Sequence, residues 1–421
     1  MAAVPEPSTP VTLRIVHVVA RAFLPAEDGG RLKTACLATA LARRGDLHWV
    51  SLDNTDRFRS QAAPVTTLTL PFGGSGTWHG TGHVSAKQRG PRSLMGWLRA
   101  ARAGVRLPWR WLPRTSRHGE VFAQIARLKP DLLVVDETVL APFAAFAPAG
   151  LRIIVTQNHD SALLAETVFA GADPAHQLRA AKRLEDMERS LFPRMDQVWG
   201  VQQGDLDSYR SYGVESQRLV LAPNVVPDEC FEPGPRPGIP GRALFFGSLW
   251  YPPNRQALEW LLESWPLVRK RLPDATLVVA GRGAGPELEA WAARTEGVEL
   301  LGFVPDLRPL FQDCALVVVP LWKGGGTKVK TIEAMAAGKP ILSTPVGAEG
   351  LAMEDGVHAV IRETGEAFIE ALAIMVQAPE SWQAMALRAQ DHARAHFSLA
   401  SLQAAVDQAL DALIESAKHQ V

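Results

Sequence analysis

Residues 314–347, CALVVVPLWKGGGTKVKTIEAMAAGKPILSTPVG, constrain the fold more than any other stretch of the chain. The unbroken apolar run 315–319, rich in β-branched residues, has the pattern of a strand buried on both faces. Gly324, Gly325 and Gly326 follow, then good helix formers over 327–337 that Gly338 and Pro340 stop. A second buried strand, 341–346, closes the unit. Strand, glycine loop, helix, strand is a βαβ unit whose loop lies at the carboxyl end of its first strand.

Successive glycines let backbone N–H groups converge with no Cβ in the way, and a helix start adds partial positive charge. Lys328 and Lys330 put two full charges where the helix dipole opposes them, which points to an anion seated there. Glu333, five residues after Lys328, comes close enough to reach a ribose beside a bound phosphate. A solvated helix start behind a flexible loop gives the same local pattern, because glycine loops are common.

The segment Gly-Gly-Thr-Lys-Val-Lys-Thr-Ile-Glu-Ala-Met-Ala-Ala-Gly-Lys-Pro resembles the donor site of glycosyltransferase family 4, retaining enzymes of the two-domain GT-B fold. The resemblance implies an α/β protein: two doubly wound Rossmann-like domains facing across a cleft. It implies that Glu333 holds the ribose of a nucleotide sugar and that Lys328 and Lys330 face its diphosphate. Gly324, Gly325, Gly326 and Thr327 would then line the donor. Many members carry a further Glu eight residues before the ribose carboxylate, on the donor sugar. Here that position is Gly325, so the sugar contact must come from elsewhere.

A chain of 421 residues suggests two or three domains with large buried cores. Its 47% hydrophobic and 21% charged content is that of an ordinary globular protein. Cys36, Cys230 and Cys314 are few and far apart, so a reducing compartment is expected, with no disulfide framework or zinc site. No apolar run approaches the length of a membrane span, and 13–20 lacks a basic leader and a small-residue cleavage site. A cytoplasmic location is expected, with no nucleic-acid partner. The formal charge of zero hides an uneven distribution: between Asp56 and Glu120 every acidic or basic side chain apart from histidine is Lys or Arg.

Taken in order, residues 1–10 are expected to be disordered, and 13–19 reads as a buried strand. A loop carrying Gly29 and Gly30 leads into a helix over 31–44. In family 4 such a glycine pair approaches the donor phosphates or the acceptor; otherwise it is a tight turn. Strands are expected at 47–52 and 65–70, with a glycine-rich loop over 72–82. The segment 93–107 sets Leu94, Trp97, Leu98, Ala101 and Val105 on one helical face, with Arg99, Arg102 and Arg106 off it and Trp109 and Trp111 following. Such a helix suits an anionic membrane surface through residues 87–117, or packs on its own domain with a solvated arginine face. Strands at 131–135 and 152–156 follow, and the second runs into Gln-Asn-His-Asp-Ser, placing His159 where parallel sheets keep their chemistry. A lone histidine is more often structural; this one also resembles the cleft-edge His segment of family 4, which implies substrate contact. A helix over 175–192 and strands at 197–201 and 219–224 complete the first domain, 11–226.

Prolines 227, 233, 235, 237 and 240 mark 227–241 as a linker unable to join a sheet. The alternation then restarts as a second domain, 242–396, with strands at 243–249, 276–280, 298–304 and 315–319 and helices at 254–271, 286–294 and 306–312. The resemblance continues through Phe-Gly-Ser-Leu-Trp-Tyr-Pro-Pro-Asn (246–254), Val-Val-Ala-Gly-Arg-Gly (278–283) and Leu-Gly-Phe-Val-Pro-Asp (301–306). It places Gly247, Asn254 and Arg282 at the donor and lets Phe303 and Val304 offer backbone to the base. The Arg and Lys that family members often carry after the first glycine are absent: Ser248 and Pro253 or Asn254 stand there. Their duty passes to Lys328, Lys330, Arg255 or Arg282. A last helix within 397–421 would cross back to the first domain.

The resemblance implies a retaining glycosyltransferase that moves a sugar from a nucleoside-diphosphate sugar to a glycan or lipid-linked acceptor in cell-surface polysaccharide synthesis. His159, Lys328 and Lys330 would be its catalytic groups, with stabilisation of the leaving diphosphate the main effect. The nucleotide sugar is a co-substrate; no further cofactor and no essential metal are implied. An inactive relative acting as an assembly partner, or a nucleotide-sugar epimerase of the same fold with carboxylate bases, would carry much of the same pattern.

Overall fold

A computed structural model describes residues 13–21, 29–53, 65–73, 75–79, 116–166, 173–232 and 234–419. The amino-terminal segment 1–10, the amphipathic segment 93–107 and most of the basic block 87–117 lie outside the described residues. The chain divides into two compact units.

The first comprises the segments ending at Phe23, Leu37–Val155 and Arg194–Gln197. It holds strands β1 (Leu13–Arg21), β2 (Gly45–Asp53), β3 (Val65–Thr69), β4 (Ser75–His79), β5 (Leu132–Asp136) and β6 (Leu151–Val155), in the spatial order β3-β4-β2-β1-β5-β6. All these pairings are parallel except β3 with β4. Ile15, Val16, Val18, Leu133, Val134 and Val135 are fully buried, as apolar runs covered on both faces require. One expectation fails here: β4 occupies part of the supposed loop 72–82. Ser75-Gly-Thr-Trp-His is a poor strand by propensity, but it pairs with both β2 and β3, and that ladder overrides the local preference.

The second unit comprises Leu24–Cys36, Thr156–Pro193 and Val198–Val421. It contains β7 (Gln197–Gly200) from Val198 onward, paired in parallel with β8 (Leu219–Leu221). Its six-stranded sheet is built from β9 (Ile239–Phe246), β10 (Thr276–Ala280), β11 (Val298–Gly302), β12 (Cys314–Val319), β13 (Ile341–Ser343) and β14 (Val360–Ile361), ordered β11-β10-β9-β12-β13-β14. Every pairing in it is parallel. The chain steps outward from β9 to β11, then resumes at β12 on the other side of β9. That reversal opens a crevice at the carboxyl ends of β9 and β12. The helices Pro252–Arg271 and Glu366–Gln377 cover the sheet, burying Leu258, Leu261, Leu262, Trp265, Phe368 and Leu372.

Three boundaries differ from the sequence reading. The supposed linker 227–241 reaches the sheet, because β9 begins at Ile239 and includes Pro240. Pro240 is tolerated near the strand start, where the register against β12 shifts between Cys314 and Leu316. Phe231, in a turn of the same segment, is buried in the core. The loop helix runs Val329–Ala336, with Lys328 as its extended N-cap and not inside its first turn. The strand expected over 341–346 ends at Ser343, where Thr344 accepts a bond from the Gly347 N–H and starts the turn Pro345–Ala348.

Candidate active site

At the reversal between β9 and β12, Gly247 leaves β9 with φ 142°. A Cβ there would lie 2.9 Å from Lys330 Nζ and 3.0 Å from Asn254 Nδ2, so glycine is what lets these side chains meet the turn. Lys330 donates to Asn254 Oδ1 at 2.6 Å, and its ammonium lies 4.7 Å from the Phe245 ring centroid. Asn254 in turn donates to the Ser248 carbonyl at 3.0 Å, which fixes the amide. Glu333 follows one helical turn after Lys330. Burial holds the Lys330 ammonium down to about 7, with Glu333 opposing the change. Burial likewise lifts the Glu333 carboxyl to about 7 against the pull of Lys330. A cation and an acid poised near neutrality respond strongly to an arriving charge.

The glycine loop is organised from within. Gly324 and Gly326 adopt φ 132° and 63°. Lys328 donates to their carbonyl oxygens at 3.0 and 2.7 Å and to Glu349 Oε2 at 3.2 Å. An ammonium has three donors, and these three acceptors use them. Burial pulls Lys328 below the usual lysine range, with Glu349 opposing. Thr327 is buried too, its hydroxyl accepting from Asn224 Nδ2 at 2.8 Å. Lys328 and Thr327 therefore hold the loop's shape.

Other segments of the same unit close on this loop. A Cβ on Gly326 would collide with Asn158 Oδ1 and lie 3.2 Å from the Gln157 carbonyl oxygen. One on Gly325 would lie 3.3 Å from Leu163 Cδ1, so the position where family members carry Glu is flanked by an apolar side chain. Gly29 approaches Val329, 3.2 Å from its added Cβ to Cγ2. Gly30 accepts from the Thr34 hydroxyl at 3.1 Å, a bond internal to the helix Gly29–Ala42.

His159, at the start of the helix Asp160–Glu166, is half-buried. Its Nε2 lies 2.9 Å from the Tyr212 hydroxyl and 3.5 Å from Glu188 Oε2, and Tyr209 meets the ring edge-on at 5.5 Å. Burial alone would lower its pKa, but the Glu188 bond and charge, with Asp205 and Asp160, raise it overall. Arg282 stacks its guanidinium 3.4 Å from the Phe303 centroid. The two border a cavity of about 650 Å³ that Gly281, Gly283, Glu289 and Gly302 also line. Val304 packs against the core beside it. Arg255 is committed elsewhere, to Glu259 at 2.9 Å and the Ala284 carbonyl at 2.9 Å.

The structure thus brings Gly247, Asn254, Lys330 and Glu333 together, gathers Gly324, Gly325, Gly326, Thr327 and Lys328 beside Asn158, and sets Arg282 with Phe303. Sequence reasoning missed Glu188, Tyr212, Asn224 and Glu349. Glu188 alone left a signal: it lies seven residues after the buried Ala181 and three before the buried Leu191, on the apolar face of its helix. Among the described residues no group of three or more His, Cys, Asp or Glu could hold a metal ion, and no helix is long and apolar enough to cross a membrane.

Residues 240–378 match the family model for glycosyl transferases group 1. Over 126 residues the chain is 32% identical to an uncharacterized 44.6 kDa protein in the cps region of Klebsiella pneumoniae, covering 28% of this chain and 32% of that protein. The chain therefore spans about a third of that curated relative. Among solved structures, sucrose-phosphate synthase from Thermosynechococcus elongatus superposes with a TM-score of 0.68 at 14% identity, over 96% of this chain and 100% of that one. Anabaena HepE, in complex with UDP and glucose, gives a TM-score of 0.65 at 17% identity over 95% and 99% of the two chains.

Proposed function

We infer that this GT-B protein, a relative of the glycosyl transferases group 1 family, is a glycosyltransferase that moves a sugar from a nucleoside-diphosphate sugar to a glycan or lipid-linked acceptor, with retention. One observation carries the reading: Gly247, Asn254 and Lys330 meet where the strand order reverses between β9 and β12, with Glu333 one helical turn on and electrostatically coupled to Lys330. Crevices at such reversals are where open parallel sheets take nucleotides. The binding of UDP and glucose by HepE, and the cps region in which the Klebsiella relative lies, support the substrate class and a role in polysaccharide synthesis.

The residues divide the work by chemistry. Lys330 and the loop amides stabilise negative charge as the diphosphate leaves, which lowers the barrier because that charge grows in the transition state. Lys328 keeps the loop in shape by filling its carbonyls. The Glu333 carboxylate takes the ribose hydroxyls, and Arg282, Phe303 and Val304 border the place for the base. His159 contacts the sugar side of the donor. Gly29 and Gly30 line the approach to the phosphates.

The test is turnover of UDP-, GDP- and ADP-sugars with a panel of glycan and lipid-linked acceptors, the product's anomeric centre being read by proton NMR. Acceptor-dependent release of one nucleoside diphosphate, with the donor's anomeric configuration kept, is expected. A second reading, an inactive assembly partner, is favoured by Gly325, where Leu163 lies beside the missing carboxylate. Tight nucleotide binding with no turnover of any donor would select it. Interconversion of nucleotide sugars without acceptor would select an epimerase.

A further inference from the structure

Glu188 sits on the helix Pro174–Leu191 with no exposed surface. A carboxylate so deep is costly unless donors surround it. Three do. The Ser161 hydroxyl donates to Oε2 at 2.5 Å, the Ser161 N–H points to Oε1 at 3.4 Å, and His159 Nε2 lies 3.5 Å from Oε2. We propose that Glu188 is a positioning residue: it turns Nε2 of His159 inward, supplies the counter-charge for an imidazolium, and so presents Nδ1–H to the sugar end of the donor. The proposal rests on the transferase reading for what His159 touches, and on the geometry alone for how Glu188 acts.

The orientation follows from the partners. A carboxylate accepts only, so the nitrogen facing it carries hydrogen, and Nε2 is the nitrogen engaged. The Tyr212 hydroxyl lies 2.9 Å from the same nitrogen, placed to accept from it in the imidazolium form. That hydroxyl belongs to a ring on which the Arg189 guanidinium stacks at 4.1 Å. Nδ1 is left as the second donor. His159 directly follows Asn158, whose Oδ1 packs on Gly326, so an imidazole locked here is locked relative to the glycine loop.

The groups facing His159 shift it toward its charged form. Glu188 comes from the helix Pro174–Leu191, Asp205 from Gln203–Ser211 and Asp160 from its own helix, and together they outweigh the cost of burial. Tyr209 and Tyr212 pack against the ring, and Arg189 and Lys33 stand one layer out, against Tyr212 and Asp205. A positive charge in this place stabilises an electron-rich leaving group or sugar oxygen without needing reorganisation.

The experiment compares wild type with Glu188→Gln, which keeps volume and the Ser161 contact but removes the charge. His159 is followed directly by its imidazole NMR signals across pH, and turnover is measured in parallel. The proposal expects the His159 midpoint to fall in Glu188→Gln. It expects kcat to drop about tenfold or more, as loss of a hydrogen bond to an ionised group predicts, with donor KM little changed. The alkaline limb of the kcat profile should move to lower pH, and Glu188→Asp should restore part of it. An unmoved His159 midpoint in the folded Glu188→Gln protein overturns the proposal, whatever happens to activity. If that variant does not fold, Ser161→Ala replaces it: freeing Glu188 from its hydroxyl donor should raise the His159 midpoint, and an unchanged midpoint again overturns it. No turnover of any donor by the wild type, with the His159 midpoint still falling in Glu188→Gln, would refute the transferase role and leave the Glu188–His159 pairing intact.

Discussion

Replacing Gly326 by alanine tests whether the glycine loop and the Asn158–His159 segment form one site. The backbone at Gly326 has φ 63°, a left-handed conformation that costs an L-residue roughly 1–2 kcal/mol. The new methyl would also overlap Asn158 Oδ1 and press on the Gln157 carbonyl oxygen, 3.2 Å away. Overpacking of this kind adds about 1–3 kcal/mol. Gly285 supplies the control, because its φ is 78° and nothing lies within 4 Å of an added Cβ. Gly285→Ala should therefore carry the backbone cost alone, roughly 1–2 kcal/mol. Gly326→Ala should cost about 2–5 kcal/mol in all, the sum of both effects. Asn158→Ala removes the overlapping oxygen, so the double variant should recover about 1 kcal/mol or more relative to additivity. Thermal and urea midpoints of the four proteins read these differences, and nucleotide affinity should fall in Gly326→Ala. Equal losses in Gly326→Ala and Gly285→Ala, or strict additivity with Asn158→Ala, would refute the seating of the loop on residue 158.

Two further outcomes follow from the same geometry and a third from the sequence. Lys330→Met should lower kcat by about 10²–10³, the usual loss for one preorganised donor at a developing charge, whereas Lys328→Met should chiefly lower the melting temperature, since its ammonium serves the loop and Glu349; the reverse ranking in single-turnover kinetics would exchange their roles. Nucleoside-diphosphate affinity should peak near neutral pH, because Lys330 loses its charge as pH rises past about 7 and Glu333 loses its own as pH falls past about 7. Calorimetry across pH should show the alkaline limb flattened in Lys330→Met and the acid limb in Glu333→Gln, and two unchanged limbs would remove both groups from the site. Residues 87–117 carry Trp97, Trp109 and Trp111 among one lysine and eight arginines with no acid, and each basic residue near an anionic bilayer is worth about 1 kcal/mol, so sedimentation with liposomes should rise with anionic lipid, fall with salt, and weaken when Arg99, Arg102 and Arg106 become Glu; equal partitioning to neutral vesicles would dismiss membrane attachment.

What the sequence made legible were features fixed by short-range physics. β12 and β10 are apolar runs buried on both faces, and such runs have few other uses in a chain of this composition. The glycine loop was equally visible, because Gly324 and Gly326 take backbone angles that other residues avoid. β4 was not, since its stability comes from two partner strands and not from Ser75-Gly-Thr-Trp-His itself. The proline segment misled for a similar reason: a register shift opposite Pro240 makes room that no local rule foresees. In the site, residue types read well and partners did not. Lys328 finds Glu349 across 21 residues, Lys330 finds Asn254 across 76, and Asn224 finds Thr327 across 103. Which lysine serves the loop and which stands by Gly247 is decided by those distant partners, and the sequence spacing of the two is silent about it.

The most direct test of the central claim is a calorimetric titration of the full chain with UDP, repeated with GDP and ADP, on wild type and Glu333→Ala. The account predicts saturable binding of one of the three to wild type. It predicts a loss of about 1.5–3 kcal/mol, roughly ten- to a hundredfold, in the folded Glu333→Ala protein. Absence of binding for all three nucleotides, or equal affinity in the two proteins, would contradict a nucleotide-sugar site at the reversal between β9 and β12.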